Sequence, residues 1–152
     1  MKVMIIEPRK RPRTIEIGNT LEDIQNIVGT DLGFLMHHDQ PVVIIYNESG
    51  ESMGLVPNRP KYGENYNIDG VIHGTFIIVG LRNDSLPTTP PDNFIDFFAS
   101  IPDSALDGLT KFFKIPDLYI PYKDGLLPVN IEIVKGLVKL KQDNAGEEDD
   151  VK

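Results

Sequence analysis

The sequence predicts an α+β fold: a mainly antiparallel sheet with one capped helix on a face, followed by a smaller helical and hairpin appendage. Three observations predict it. Short runs rich in Val and Ile recur between Gly, Pro, Asn and Asp breakers through residues 2–81. Within that stretch only Leu21 to Val28 spaces its apolar residues as a helix does. Beyond the run Leu86-Pro87-Thr88-Thr89-Pro90-Pro91 the composition changes to phenylalanines at helical spacing.

Lys2 to Glu7 and Arg13 to Ile17 read as two strands joined by the Pro8 to Pro12 loop, each bounded by breakers. The helix follows. Asn19 with Glu22 three residues on forms a capping box, Leu21, Ile24, Ile27 and Val28 make the apolar face, and Gly29 supplies the left-handed stop. Gly33 to His37 and Pro41 to Tyr46 are strands, and Asn47-Glu48-Ser49-Gly50 is a turn into a short strand at Ser52 to Val56. A loop rich in Pro, Gly and Asn runs from Pro57 to Gly70. It leads into Val71 to Leu81, where Phe76-Ile77-Ile78-Val79 has the unbroken apolar character of a buried strand.

These elements divide the chain into a domain at residues 1–81, a Pro-rich linker at 82–93, an appendage at 94–141 and a disordered acidic tail at 142–152. In the appendage Asp92 caps a helix with Phe94, Ile95, Phe97, Phe98 and Ile101 on its face, and Asp103 caps a second with Leu106, Leu109, Phe112 and Phe113. Val129 to Leu140 fits both periods, with its β-branched residues favouring a hairpin at Lys135-Gly136. The appendage is expected to pack on the domain or on an oligomer partner.

The chain has 152 residues, a net charge of -8 and no cysteine, so disulfides and thiolate chemistry are excluded. No apolar stretch approaches the roughly 20 residues of a membrane span, and a cytoplasmic location is expected. The segment Asp143 to Lys152 carries five acids and one lysine, which leaves 18 acids and 14 bases, or -4, for the rest. Against that balance Arg9, Lys10, Arg11 and Arg13 concentrate four bases in five positions. General duplex binding, which needs several phosphate contacts, is disfavoured on a negative body.

Gly50-Glu51-Ser52-Met53-Gly54 is a literal G-x-S-x-G. A nucleophile elbow needs a helix directly after the serine, however, and Pro57 and Pro60 forbid one of useful length. Ser52 with Glu7 and His73 is nonetheless the one serious set for a small hydrolase. His37 and His38 are adjacent on a strand and so face opposite sides; no metal site and no cofactor are expected. The Phe-rich stripe reads as packing. In the Pro57 to Gly70 loop Asn58 offers donor and acceptor beside the guanidinium fork of Arg59, a pair suited to a carboxylate, phosphate or base edge; the competing reading makes the pair a brace against Glu7 or the sheet.

Met1 to Pro8, Leu21 to Gly29, Asn47-Glu48 with Gly50, Gly54-Leu55-Val56-Pro57-Asn58-Arg59 and Ile72-His73-Gly74-Thr75-Phe76-Ile77-Ile78-Val79-Gly80 resemble, in order, the family called domain of unknown function 3846. The resemblance covers residues 1–81. Members are mostly encoded by bacteriophages and mobile elements and have no established activity, which implies a phage or mobile-element protein.

The expected function is therefore non-catalytic binding that counters a host defence process, through a small anionic, nucleotide-like ligand or a host protein. The ligand-binding set is Asn58, Arg59, Asn47, Tyr62, Tyr66, His73 and Thr75, with Arg9 and Arg11 from the basic loop. The alternatives are the Ser52 hydrolase and an acidic DNA-mimic inhibitor. A homo-oligomer is among the expected assemblies.

Overall fold

The computed structural model describes residues 1–37, 40–82 and 97–131. The main sheet contains β1 (Lys2–Ile6), β2 (Arg13–Glu16), β3 (Leu32–Met36), β4 (Val42–Asn47), β7 (Phe76–Leu81) and β8 (Phe98–Ala99). Its order is β2-β1-β7-β4-β3, with β8 paired to the end of β7, and every pairing is antiparallel. Helix α1 (Leu21–Val28) follows β2, and α2 (Asp103–Phe112) follows β8. Two hairpins complete the elements of the described residues: β5 (Pro57–Tyr62) with β6 (Ile68–His73), and β9 (Leu118–Tyr122) with β10 (Gly125–Val129).

The alternation of side chains along each strand divides the core in two. Val3, Ile5, Val43, Ile45, Ile77 and Val79 lie on one face with Ile24 and Val28 of α1 and with Phe98. Met4, Ile6, Val42, Ile44, Tyr46, Phe76 and Ile78 lie on the other with Ile72, Ile101 and Ala105, Leu109 and Phe113 at α2. β4 and β7 are buried on both faces, which is why they are unbroken apolar runs. Such strands need two covers. The segment expected as an appendage supplies the second, so the sheet carries a helix against each face, and the packing does not divide at residue 81.

Helix α1 is capped one residue later than the sequence suggested. Thr20 Oγ1 accepts the Asp23 N–H at 3.2 Å and Asp23 returns a carboxylate to the Thr20 N–H at 3.2 Å, with Thr20 in the extended backbone of a cap. The stop at Gly29 is as expected, with φ at 121°. Ser52 to Val56 is not a strand: residues 51–54 are turn, and the strand starts at Pro57. The expected Pro57 to Gly70 loop is a hairpin, since β5 pairs on one side only and breaks register between Pro57 and Arg59 and between Pro60 and Tyr62, which accommodates the missing proline N–H groups.

Phe98 is not helical but pairs Leu81 in β8; the rest of the expected Asp92 helix lies outside the described residues. Asp103 is the first residue of α2 rather than its cap, and it pairs with Lys2. The β9–β10 hairpin was not anticipated. Most of Val129 to Leu140, the linker from 83 and the acidic tail lie outside the described residues. No helix of the described residues is long and apolar enough to cross a membrane.

Three carboxyls among the described residues are held below their ordinary values. Hydrogen bonding by Arg13 holds Glu7 below its ordinary 4.5, and bonds from Lys2 and Thr20 hold Asp103 and Asp23 below 3.8. Each folded value lies under the unfolded one, so the stabilisation is complete above about pH 4.5 and is lost as pH falls through the lower folded values. Denaturant titrations at pH 7, 5, 4 and 3 are expected to show a plateau and then a steepening loss; a constant midpoint down to pH 3 would contradict these pairings.

Candidate functional site

Asn58 and Arg59 lie inside the protein, 0% and 2% exposed. The register break before Arg59 leaves Asn58 outside the ladder, and its amide bonds the carbonyls of Ile6 at 2.9 Å and Gly74 at 2.8 Å. That ties β5 to β1 and to the β6–β7 turn. Arg59 spends all five N–H donors on protein oxygens. Nε and Nη2 bond Phe113 O at 3.1 and 3.0 Å, Nη2 also bonds Lys10 O at 2.8 Å, and Nη1 bonds Asn58 O and Oδ1 at 3.2 and 2.8 Å.

Phe113 is the residue that caps α2, so the guanidinium sits where the helix exposes its carbonyls and the negative end of its dipole. Burial pushes the Arg59 pKa down to about 10, which leaves it cationic at neutral pH. The pair expected to read a ligand is thus a brace, because no donor of Arg59 is left to offer one. It does not brace against Glu7, which is held by Arg13 and Lys10.

What the brace positions is a cleft of about 750 Å³. Arg11 and Pro12 of the β1–β2 loop form one side, and Thr110, Lys111, Phe112, Lys114 and Ile115 at the end of α2 form another. Tyr62 and Asn130 close it. The same guanidinium bonds Lys10 O and Phe113 O, so the basic loop and the helix end are fixed to one another through Arg59. Asn130 Nδ2 bonds Ile115 O at 3.0 Å and holds the end of β10 against the segment after α2.

Three cations border the cleft, and its described lining contains no carboxylate. Lys111 has an exposed partner in Asp107, 3.1 Å away and one helical turn back, an ion pair of small value. The rings of Tyr62 and Phe112 meet edge to face at 5.1 Å. Burial raises the Tyr62 pKa, so the phenol stays neutral among these cations.

Of the other expected site residues only Arg11 and Tyr62 reach this cleft. Asn47 is buried and forms an Asx turn with the Ser49 N–H at 2.9 Å. Tyr66 packs with His37 and Phe112 around a separate cavity of about 20 Å³, the size of one water. His73 Nδ1 bonds Leu55 O at 3.0 Å, and Arg9 lies over the Tyr119 ring at 5.6 Å. Thr75 sits in the half-buried connection between β6 and β7.

The G-x-S-x-G run has a structural account. A Cβ on Gly50 would lie 2.4 Å from His73 O, and Gly54 turns with φ at 74°. Ser52 is exposed, donates to Ser49 O at 3.0 Å, and is followed by turn and strand rather than a helix. His38 lies outside the described residues. Among the described residues no three His, Asp or Glu side chains converge as metal ligands do.

Sequence reasoning missed Lys111, Lys114, Thr110, Ile115 and Asn130, and took Phe112 for packing alone. The available signal was Lys111-Phe112-Phe113-Lys114, a cationic pair flanking aromatics at a helix end. A family model described as "Domain of unknown function (DUF3846)" matches residues 1–100. No curated protein matches the chain, and no solved structure does.

Proposed function

Because the chain belongs to the DUF3846 family, whose description assigns no activity, we propose a function from the cleft itself: non-catalytic binding of an anionic, ring-bearing ligand of the nucleotide class. One observation carries this reading: Arg11, Lys111 and Lys114 converge with Tyr62 and Phe112 on a concave site whose described lining has no carboxylate, in a chain of net charge -8. Concentrating one sign of charge in a concavity raises the local concentration of its counter-ion. The volume lies within the range of small-molecule sites, and apolar walls with a few polar groups are their usual lining.

Arg11 supplies the fork suited to phosphate oxygens, the lysines act as point charges, and the rings form an apolar wall. In a phage or mobile-element setting, such a site would withdraw a host nucleotide signal. Six of the nine lining residues, from Thr110 to Asn130, follow residue 100, so this site is proposed for this chain and not for the whole family.

The test is a titration with a fluorescent ribose-modified ATP, using adenosine and pyrophosphate as competitors. Arg11→Ala and Lys114→Ala are each expected to weaken binding by about 1.5–3 kcal/mol, the range for hydrogen bonds to charged groups, with the melting temperature little changed. Both competitors should displace the probe, each more weakly than ATP. Affinity unaltered in both variants would remove the proposal.

A further inference from the structure

Resting on that reading of the cleft, we infer that it selects nucleotides whose base carries an exocyclic amino group, through the side-chain oxygens of Asn130 and Thr110. Both residues line the cleft. Asn130 is 8% exposed, and its Nδ2 donates to Ile115 O at 3.0 Å. An amide that gives its nitrogen to a carbonyl is left with its oxygen as the free end, so this bond decides which way round the side chain lies. Thr110 Oγ1 donates its one proton to Leu106 O at 2.7 Å, a turn back on α2. What that hydroxyl has left to offer is lone pairs.

Among the described residues no donor reaches Asn130 Oδ1, and the buried side-chain atom left without a partner is the Tyr119 hydroxyl. Oδ1 is therefore not sealed in the core, and the cleft is where Asn130 meets solvent. The residue is also clamped from both sides. The Asp117 N–H bonds Val129 O at 2.9 Å and the Ile131 N–H bonds Asp117 Oδ2 at 2.8 Å, which ties both neighbours of Asn130 to one aspartate. An acceptor held in this way meets a ligand with little further ordering cost.

The cleft thus separates its polar groups by role. Arg11 and Lys111 bring donors suited to phosphate oxygens, whereas Asn130 and Thr110 offer acceptors. A fully ionised phosphate has no proton to give them. A base lying on the Tyr62 and Phe112 wall strips water from these oxygens, which costs affinity unless the base returns a donor. The 6-amino group of adenine returns one. A ring without an amino group leaves the oxygen unpaired, and a site built around a polar group rejects the analogue that lacks its partner.

The experiment displaces the fluorescent ATP from the full chain with unlabelled ATP or with purine riboside triphosphate, which differs from ATP only in lacking the 6-amino group. ATP is expected to compete about five- to tenfold more tightly, the factor for one hydrogen bond between uncharged groups. In Asn130→Ala that ratio should fall towards one, and Thr110→Val, at an exposed position of α2, should reduce it in part. Loss of the bond to Ile115 weakens both competitors alike and leaves the ratio untouched, so the ratio separates recognition from a structural effect. Equal competition by the two triphosphates where Arg11→Ala still weakens the probe, or a ratio unchanged in both variants, would overturn the amino-group selection and keep the cleft. Failure of the probe to bind would overturn the two together.

Discussion

A chain ending at residue 100, where the family match stops, is expected to lose its cooperative unfolding transition and to bind a hydrophobic dye. Truncation there removes Ile101, Ala105, Leu109 and Phe113, which are 0–2% exposed and cover the face formed by Met4, Ile6, Val42, Ile44, Tyr46, Phe76 and Ile78. Burying one large apolar side chain stabilises by about 1.5–3 kcal/mol. The three large ones lost here account for roughly 5–9 kcal/mol, before counting the sheet face they leave wet. That rivals the about 5–15 kcal/mol by which a typical domain is stable. A chain ending at Ile131 keeps every described contact and is the reference. A sharp transition for the shorter chain, within a few degrees of that reference, would show the second face to be dispensable.

Arg59→Ala is the single substitution expected to cost most, about 3–5 kcal/mol, because it orphans the buried carbonyls of Phe113 and Asn58 and the partly buried one of Lys10. For a chain of this size that is on the order of 10 °C in melting temperature. Arg59→Lys should recover little, since one ammonium cannot reach acceptors arrayed around a planar fork. Ligand affinity should fall with stability, as the cleft loses the link between its basic loop and its helix. A melting temperature within a degree or two of wild type would overturn the brace. Unchanged stability with lost binding would return Arg59 to the ligand.

The contrast between Arg59 and Arg11 shows how far the sequence reaches towards the site. Both are arginines beside prolines, and both were legible as candidates for an anion. One is 2% exposed with every donor committed, and the other is exposed at a cleft. Local chemistry names residues able to bind an anion but not the acceptors they meet, and those of Arg59 lie 49 and 54 positions away. Lys111 and Lys114 were overlooked for the converse reason. Their neighbours in sequence are core phenylalanines, and Arg11 joins them only through the fold.

Periodicity and local breakers by themselves determined the α+β class, the strands β1 to β4 and β7, the helix α1 with its glycine stop, and α2. Each follows from the residues within one element, where burial and backbone preference act over a few positions. Only the tertiary structure decided that Pro57 to Gly70 forms a hairpin, since a proline-bearing strand persists where its free side and its bulges leave no ladder bond to lose. It decided likewise that Phe98 is a strand residue and that α2 shares the core of the sheet. A strand buried on both faces requires two covers, and which distant segment supplies the second is set by packing and by Arg59 binding the end of that segment's helix, over separations that no local pattern encodes.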